Sequence, residues 1–130
     1  MKNLHKILAL TFWLISFSLT AQNIPESVNQ CFSKGEASLI STNLASKVKI
    51  TIPGTDAEID RSAVVQKLNT FFSSNRPKSY TIQHKSEKGN SGFSIATLST
   101  IRNNYRVHVY FKLENNIYVI HQIRIEKLNE

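Results

Sequence analysis

Apolar and polar residues alternate without a break from residue 105 to 113. Tyr105, Val107, Val109, Phe111 and Leu113 share one phase; Arg106, His108, Tyr110 and Lys112 share the other. After Glu114-Asn115-Asn116 the alternation resumes, with Ile117, Val119, His121, Ile123 and Ile125 in the apolar phase. A period of two over this length predicts two strands, each with one buried face, joined by a three-residue turn. Two similar runs precede them. Tyr80, Ile82 and His84 share a face in the first, and Phe93, Ile95, Thr97, Ser99 and Ile101 share a face in the second. Short turns at Lys88-Gly89-Asn90-Ser91 and Arg102-Asn103-Asn104 make the four runs an antiparallel meander.

Upstream the period changes. Val64, Val65, Leu68, Phe71 and Phe72 follow one helical stripe, with Asp60 placed to cap it and Asn75-Arg76-Pro77 to end it. Before that helix, Val48, Ile50 and Ile52 alternate with Lys47, Lys49 and Thr51 in a half-buried strand. Pro53-Gly54-Thr55-Asp56 reads as a turn, and Ile59 belongs to a brief returning strand. A short helix between Pro25 and Gly35 buries Ile24, Val28, Cys31 and Phe32, and Glu36 to Leu44 predicts a second one through Ala37, Ile40 and Leu44.

The first 21 residues fall outside this pattern. Lys2, His5 and Lys6 precede an apolar run from Ile7 to Leu19, and Ala21 stands before polar Gln22-Asn23. That order predicts a signal peptide cleaved after Ala21, and hence a periplasmic or secreted protein. The alternative, an uncleaved anchor, meets a run shorter than the about 20 apolar residues that a span needs. Cleavage leaves no membrane-inserting segment and no cysteine at the new terminus to carry a lipid. The remaining residues, 22–130, make one domain with 14 basic against 9 acidic residues, a net +5. The basic residues are scattered, which argues for a solvated basic surface rather than a nucleic-acid site. Cys31 is the one cysteine; it reads as a small buried residue in phase with Val28 and Phe32, against the alternative of a thiol free for intermolecular pairing.

The order helix, helix, strand, helix, then four strands resembles the cone-shaped α+β fold of the nuclear transport factor 2-like (cystatin-like) superfamily. Within it the chain resembles a family of small exported Bacteroidetes proteins, domain of unknown function 4783. The resemblance is carried by Ile24-Pro25-Glu26-Ser27, by Phe71-Phe72, by Pro77 through Lys85, by Thr97 through Thr100, by Asn104 through Val107, and by Gln122 through Glu126. It implies N-terminal helices packed on a curved antiparallel sheet, and it brings no catalytic residues with it. It also implies a comparison with enzymes resembling ketosteroid isomerase, which use carboxylates deep in the cone. Here the acidic residues fall at helix starts, loops and strand ends, so a paired acid and base is not expected, nor any cofactor. His84, His108 and His121 are not grouped with acids at metal-ligand spacing.

Three-residue loops in the last two hairpins would make Thr97, Val109 and His121 neighbours on the inner face, with Tyr80 and His84 nearby. This predicts a polar constellation for a small apolar ligand's polar end, weighed against an inward histidine satisfied within the core. The same register predicts an outer face where Ala96, Tyr110 and Ile120 form one row and Leu98, His108 and Gln122 another. Arg106, Lys112, Tyr118 and Arg124 surround them. An aromatic centre with a basic rim suits pairing with a second copy or another exported protein; the plainer reading is a half-polar exposed sheet. Three functions follow: a non-catalytic interaction module, a carrier, or an enzyme of unnamed reaction.

Overall fold

A computed structural model describes residues 24–129; the leader expected over residues 1–21 lies outside the described residues. The elements are helix α1 (Glu26–Lys34), a 3-10 helix (Ala37–Asn43), β1 (Leu44–Ile52), β2 (Thr55–Asp60), α2 (Arg61–Ser74), β3 (Pro77–Lys88), β4 (Ser91–Thr100), β5 (Asn104–Glu114) and β6 (Ile117–Lys127). They build the expected α+β architecture, with the helices on one face of a six-stranded sheet of order β2-β1-β6-β5-β4-β3. Every pairing is antiparallel except β1 with β6, which run parallel. The chain leaves β2 through α2 and reaches β6 only after the meander, so β6 arrives beside β1 in the same direction.

Local chemistry accounts for the element ends. Asp60 accepts a hydrogen bond from the Ala63 backbone N–H at 3.0 Å and so satisfies one orphan donor of α2. That bond favours the carboxylate form and holds the Asp60 pKa below its usual value, with the Ser62 hydroxyl adding to the shift. Helix α1 ends at Gly35, whose φ of 71° is the left-handed conformation that glycine adopts without strain. A Cβ there would also stand 2.9 Å from Pro77 Cδ, at the start of β3. The second predicted helix is present as a 3-10 turn rather than an α-helix. The β5–β6 turn has two central residues, not three: Asn115 and Asn116 both have positive φ, as a type I′ hairpin requires.

The core lies between the helices and the inner sheet face. Phe32, Ile40, Leu44, Val64 and Leu68 come from the helical side and β1, and Leu98, Val107, Val109, Phe111, Ile120, Ile123 and Ile125 from the meander; all are fully or nearly fully buried. Phe32 stacks on Tyr80 with centroids 5.1 Å apart and meets Phe72 edge-on at 5.7 Å. Tyr105 packs edge-on against Phe71 and donates its hydroxyl to Asn75 Oδ1 at 2.8 Å, tying β5 to the end of α2.

The strand phases differ from the sequence expectation at three places, and each has a physical cause. The β4–β5 loop has four residues, Thr100–Asn103, because the Thr100 hydroxyl accepts from the Arg102 and Asn103 N–H groups and donates to the Asn103 carbonyl. Thr97 therefore faces Arg106, not Val109, and the whole of β4 is turned over: Ser94, Ala96, Leu98 and Thr100 are buried, and Phe93, Ile95 and Thr97 look outward. In β6 a bulge places Tyr110 opposite Gln122 but Phe111 opposite Ile120, leaving His121 as the extra residue. The bulge sends Tyr118 and Ile120 inward and puts polar His121 and Gln122 side by side on the outer face, while Ile123 and Ile125 stay in the core. A third irregularity, at Gln83, lets Tyr80 and Ile82 keep the face of Leu98 and Ala96 while His84 turns outward beside Ile95.

Candidate functional site

Of the four residues assigned to an inner polar constellation, the structure keeps Tyr80 inside and places His84, Thr97 and His121 on the opposite face. The cause is register: a one-residue change in loop length, or one bulge, swaps the faces of everything beyond it. The interior has its own polar feature, which the alternation concealed. Ser94 is fully buried on β4, and neither its Oγ nor the Tyr80 hydroxyl has a hydrogen-bond partner in the protein. Burial pushes the Tyr80 phenol far above its usual pKa; the Ser94 hydroxyl nearby draws it down and the adjacent Cys31 adds slightly to the rise. Burial likewise pushes the Cys31 thiol up to about 12, so it is a neutral packing group in the core rather than a reactive one. A buried hydroxyl without a partner costs about 1–3 kcal/mol. Tyr80→Phe should therefore hold stability or raise it by about 1 kcal/mol in urea unfolding; a loss of that size would show that the Tyr80 hydroxyl is paired, directly with Ser94 or through a buried water.

The outer sheet face carries the larger constellation. Across it, Ser86, Phe93, Tyr110, Gln122, Lys49 and Glu58 form one row over six strands, and His84, Ile95, His108, Arg124, Thr51 and Asp56 form the next. The rings of His84 and Phe93 lie 5.5 Å apart, Phe93 and Tyr110 6.2 Å, and Tyr110 and His108 6.5 Å, so an aromatic band runs from β3 to β5. Tyr110 is 39% exposed, and Ile117, at the hairpin end of the same face, is 58% exposed. Arg106, His108, Tyr110, Gln122 and Arg124 stand on this face as the alternation of β5 and the end of β6 predicts. Ala96, Leu98, Tyr118 and Ile120, expected on it, are core residues instead. Phe93 and Ile95 take their place. The signal for that exchange was available in the adjacent polar pair His121-Gln122, which strict alternation cannot put on one side, and in the Thr100-to-Asn103 turn.

Charges on this face are mixed. Arg124 Nε lies 3.1 Å from Glu126, and His121 Nε2 lies 2.8 Å from Glu114 across the hairpin. Partial burial holds the His108 pKa below the usual histidine value; Glu126 draws it back up, and Arg124 and Arg106 press it down again. His108 is thus neutral near pH 7 and belongs to the aromatic band rather than to the basic rim. All eight described carboxylates, Glu26, Glu36, Asp56, Glu58, Asp60, Glu87, Glu114 and Glu126, are exposed. No group of three or more His, Cys, Asp or Glu side chains among the described residues is placed to hold a metal ion, and no described helix is long and apolar enough to cross a membrane.

Comparison with known proteins agrees with this architecture. A protein from Bacteroides uniformis is 34% identical, with 83% of this chain and 100% of that one covered at a TM-score of 0.79. One from Bacteroides ovatus is 33% identical over 85% and 100%, at 0.80. Both are described as DUF4783 family proteins. A nuclear transport factor 2-like protein of unknown function from Silicibacter pomeroyi shares the fold at 12% identity, covering 98% of this chain and 100% of its own with a TM-score of 0.58. No curated protein matches the chain. The family described as "Domain of unknown function (DUF4783)" matches residues 25–126, and with that span and those relatives the chain belongs to this family, on a nuclear transport factor 2-like fold.

Proposed function

We propose that this protein is an exported, non-catalytic binding module that pairs with a second copy of itself through the outer sheet face. The observation that carries the reading is the orientation of β4. A strand covering a core is favoured to turn its larger apolar residues inward. Here Phe93 and Ile95 face out, both partly exposed, while Ser94 and Ala96 face in beside Leu98, so the bulkier apolar residues of β4 leave some area in contact with water on the side away from the helices. Together with Tyr110, His108 and Ile117 these residues make an aromatic and aliphatic patch flanked by arginines, the composition that protein interfaces favour. Export rests on the leader, whose basic start, apolar run and Ala21 have the order of a cleaved signal.

Sedimentation of the wild type and of Tyr110→Glu tests the pairing. A tyrosine at the centre of an interface contributes about 2 kcal/mol or more, roughly 30-fold in Kd. The variant is expected to be a folded monomer at concentrations where the wild type is dimeric. A wild type that stays monomeric at millimolar concentration sinks the reading. The carrier remains the second reading, supported by the unpaired Tyr80 and Ser94 hydroxyls inside the cone; it no longer draws on His121, Thr97 or His84.

A further inference from the structure

The bulge at His121 does more than reverse the phase of β6. On the outer face it leaves a depression of about 470 Å³, lined by Ser91, Phe93, Tyr110, Lys112, His121 and Gln122. The tilted rings of Phe93 and Tyr110 supply its apolar wall. Because the bulge places two consecutive side chains on one face, His121 and Gln122 both border it. Glu114 holds His121 by Nε2 at 2.8 Å and leaves Nδ1 unengaged.

Along the upper edge, strand pairing sets Lys88 opposite Ser91 and Ser91 opposite Lys112. Two lysines thus stand on either side of Ser91, on strands roughly 10 Å apart; Lys112 lines the depression and Lys88 lies just beyond its edge. Neither lysine has an ion-pair partner among the described residues. The carboxylates nearest in the chain are already engaged: Glu114 by His121, and Glu87 by the Ile24 backbone N–H, 3.1 Å away. Neither ammonium is thus within ion-pair distance of a described carboxylate, and the wall beside them is aromatic. An anion between the two lysines would relieve their repulsion, and a flat body attached to it would cover the rings.

We infer that this notch binds a small organic anion of the arylcarboxylate class, with its carboxylate between Lys88, Lys112 and the Ser91 hydroxyl and its ring against Phe93 and Tyr110. His121 Nδ1 and the Gln122 amide then meet a polar substituent on the ring. The site goes beyond the pairing proposed above and does not depend on it. Since both use Tyr110, ligand and second copy compete wherever both bind.

The test is a titration of the 15N-labelled protein with 4-hydroxyphenylacetate, benzoate and indole-3-acetate, followed by amide chemical shifts and by sedimentation. Acetate supplies the carboxylate without a ring. Tyramine supplies the ring with an ammonium in place of the carboxylate. Expected are saturable shifts at millimolar arylcarboxylate, confined to residues 91–93, 110–112 and 121–122. Acetate and tyramine should give none. Lys88→Gln and Lys112→Gln should each weaken binding about fivefold, roughly 1 kcal/mol each by the conversion between affinity and free energy, and the double variant should abolish it; both side chains are exposed, so the fold is retained. The inference is overturned if none of the three arylcarboxylates gives saturable shifts, if the shifts fall elsewhere, if tyramine binds as well, or if the lysine variants bind unchanged. Sedimentation separates the two readings: a monomer that binds removes the pairing and keeps the notch, and where the wild type is dimeric the titration is run at dilutions at which sedimentation shows monomer, so that a monomer that does not bind removes the notch whatever becomes of the pairing.

Discussion

Replacing Phe32 with alanine is expected to lower the unfolding free energy by about 3–5 kcal/mol, a third or more of what a domain of this size usually has. Phe32 is fully buried and joins three elements at once: its own helix α1, Tyr80 on β3 by stacking, and Phe72 on α2 by an edge contact. Removing the ring takes away the apolar transfer energy and leaves a hole that these neighbours cannot all collapse into, since each is anchored on a separate element. Tyr80 lies on the edge strand of the sheet and has only the Phe32 ring stacked over it. A urea midpoint lowered by roughly 2 M, with no change in slope, is the expected reading. A shift below about 0.5 M would mean that α1 is not part of the cooperative unit. The hole would also border the unpaired Tyr80 and Ser94 hydroxyls, so Phe32→Ala is the variant in which a small apolar guest with one polar end should restore stability.

The sequence was most legible where one face of an element is apolar and the other polar. Helix α2 satisfies that condition, and its capping aspartate and its buried Val64, Leu68, Phe71 and Phe72 stand as its spacing implies. The same holds for β1 and β5, whose alternation admits only one inward face. Strand β4 does not satisfy it: Phe93 and Ile95 lie on one phase and Ala96 and Leu98 on the other, so periodicity cannot choose between them. Loop length decides between them, and the hydrogen bonds of the Thr100 side chain set that length. Strand β6 hides its bulge for a related reason. Isoleucines at 117, 123 and 125 fit an unbroken alternation, whereas the buried set is Tyr118, Ile120, Ile123 and Ile125. Membership of the candidate pocket and membership of the interface both depend on register, so the loop and the bulge exchange residues between them, and His121, Thr97 and Leu98 change sides together. The resemblance to a known family supplies the architecture but no register, so it does not place these residues.

A pair of single-residue deletions in β6 turns the bulge into a prediction with a large effect. Deleting His121 removes only the extra residue: Ile120 and Gln122 become adjacent, Tyr118, Ile120, Ile123 and Ile125 all keep the inward phase, and the strand straightens. The loss is the His121–Glu114 contact, a partly exposed pair with a modest contribution. The shortened protein should fold with a stability close to that of the wild type. Deleting Arg124 instead moves Ile125 to the outer face and brings Glu126 into the buried place opposite Val107. Exposing the isoleucine costs about 1.5–3 kcal/mol. Burying a carboxylate without a partner costs several more, so the end of β6 should detach or the domain unfold. Circular dichroism and thermal melts of the two deletions check this directly, and equal stability of the two would refute the bulge. The His121 deletion has a second use, because it keeps the aromatic pair and both lysines while flattening the notch between them. If the depression itself holds an arylcarboxylate, that deletion should lose binding in a folded protein; if only the exposed lysines attract the anion, it should bind as before.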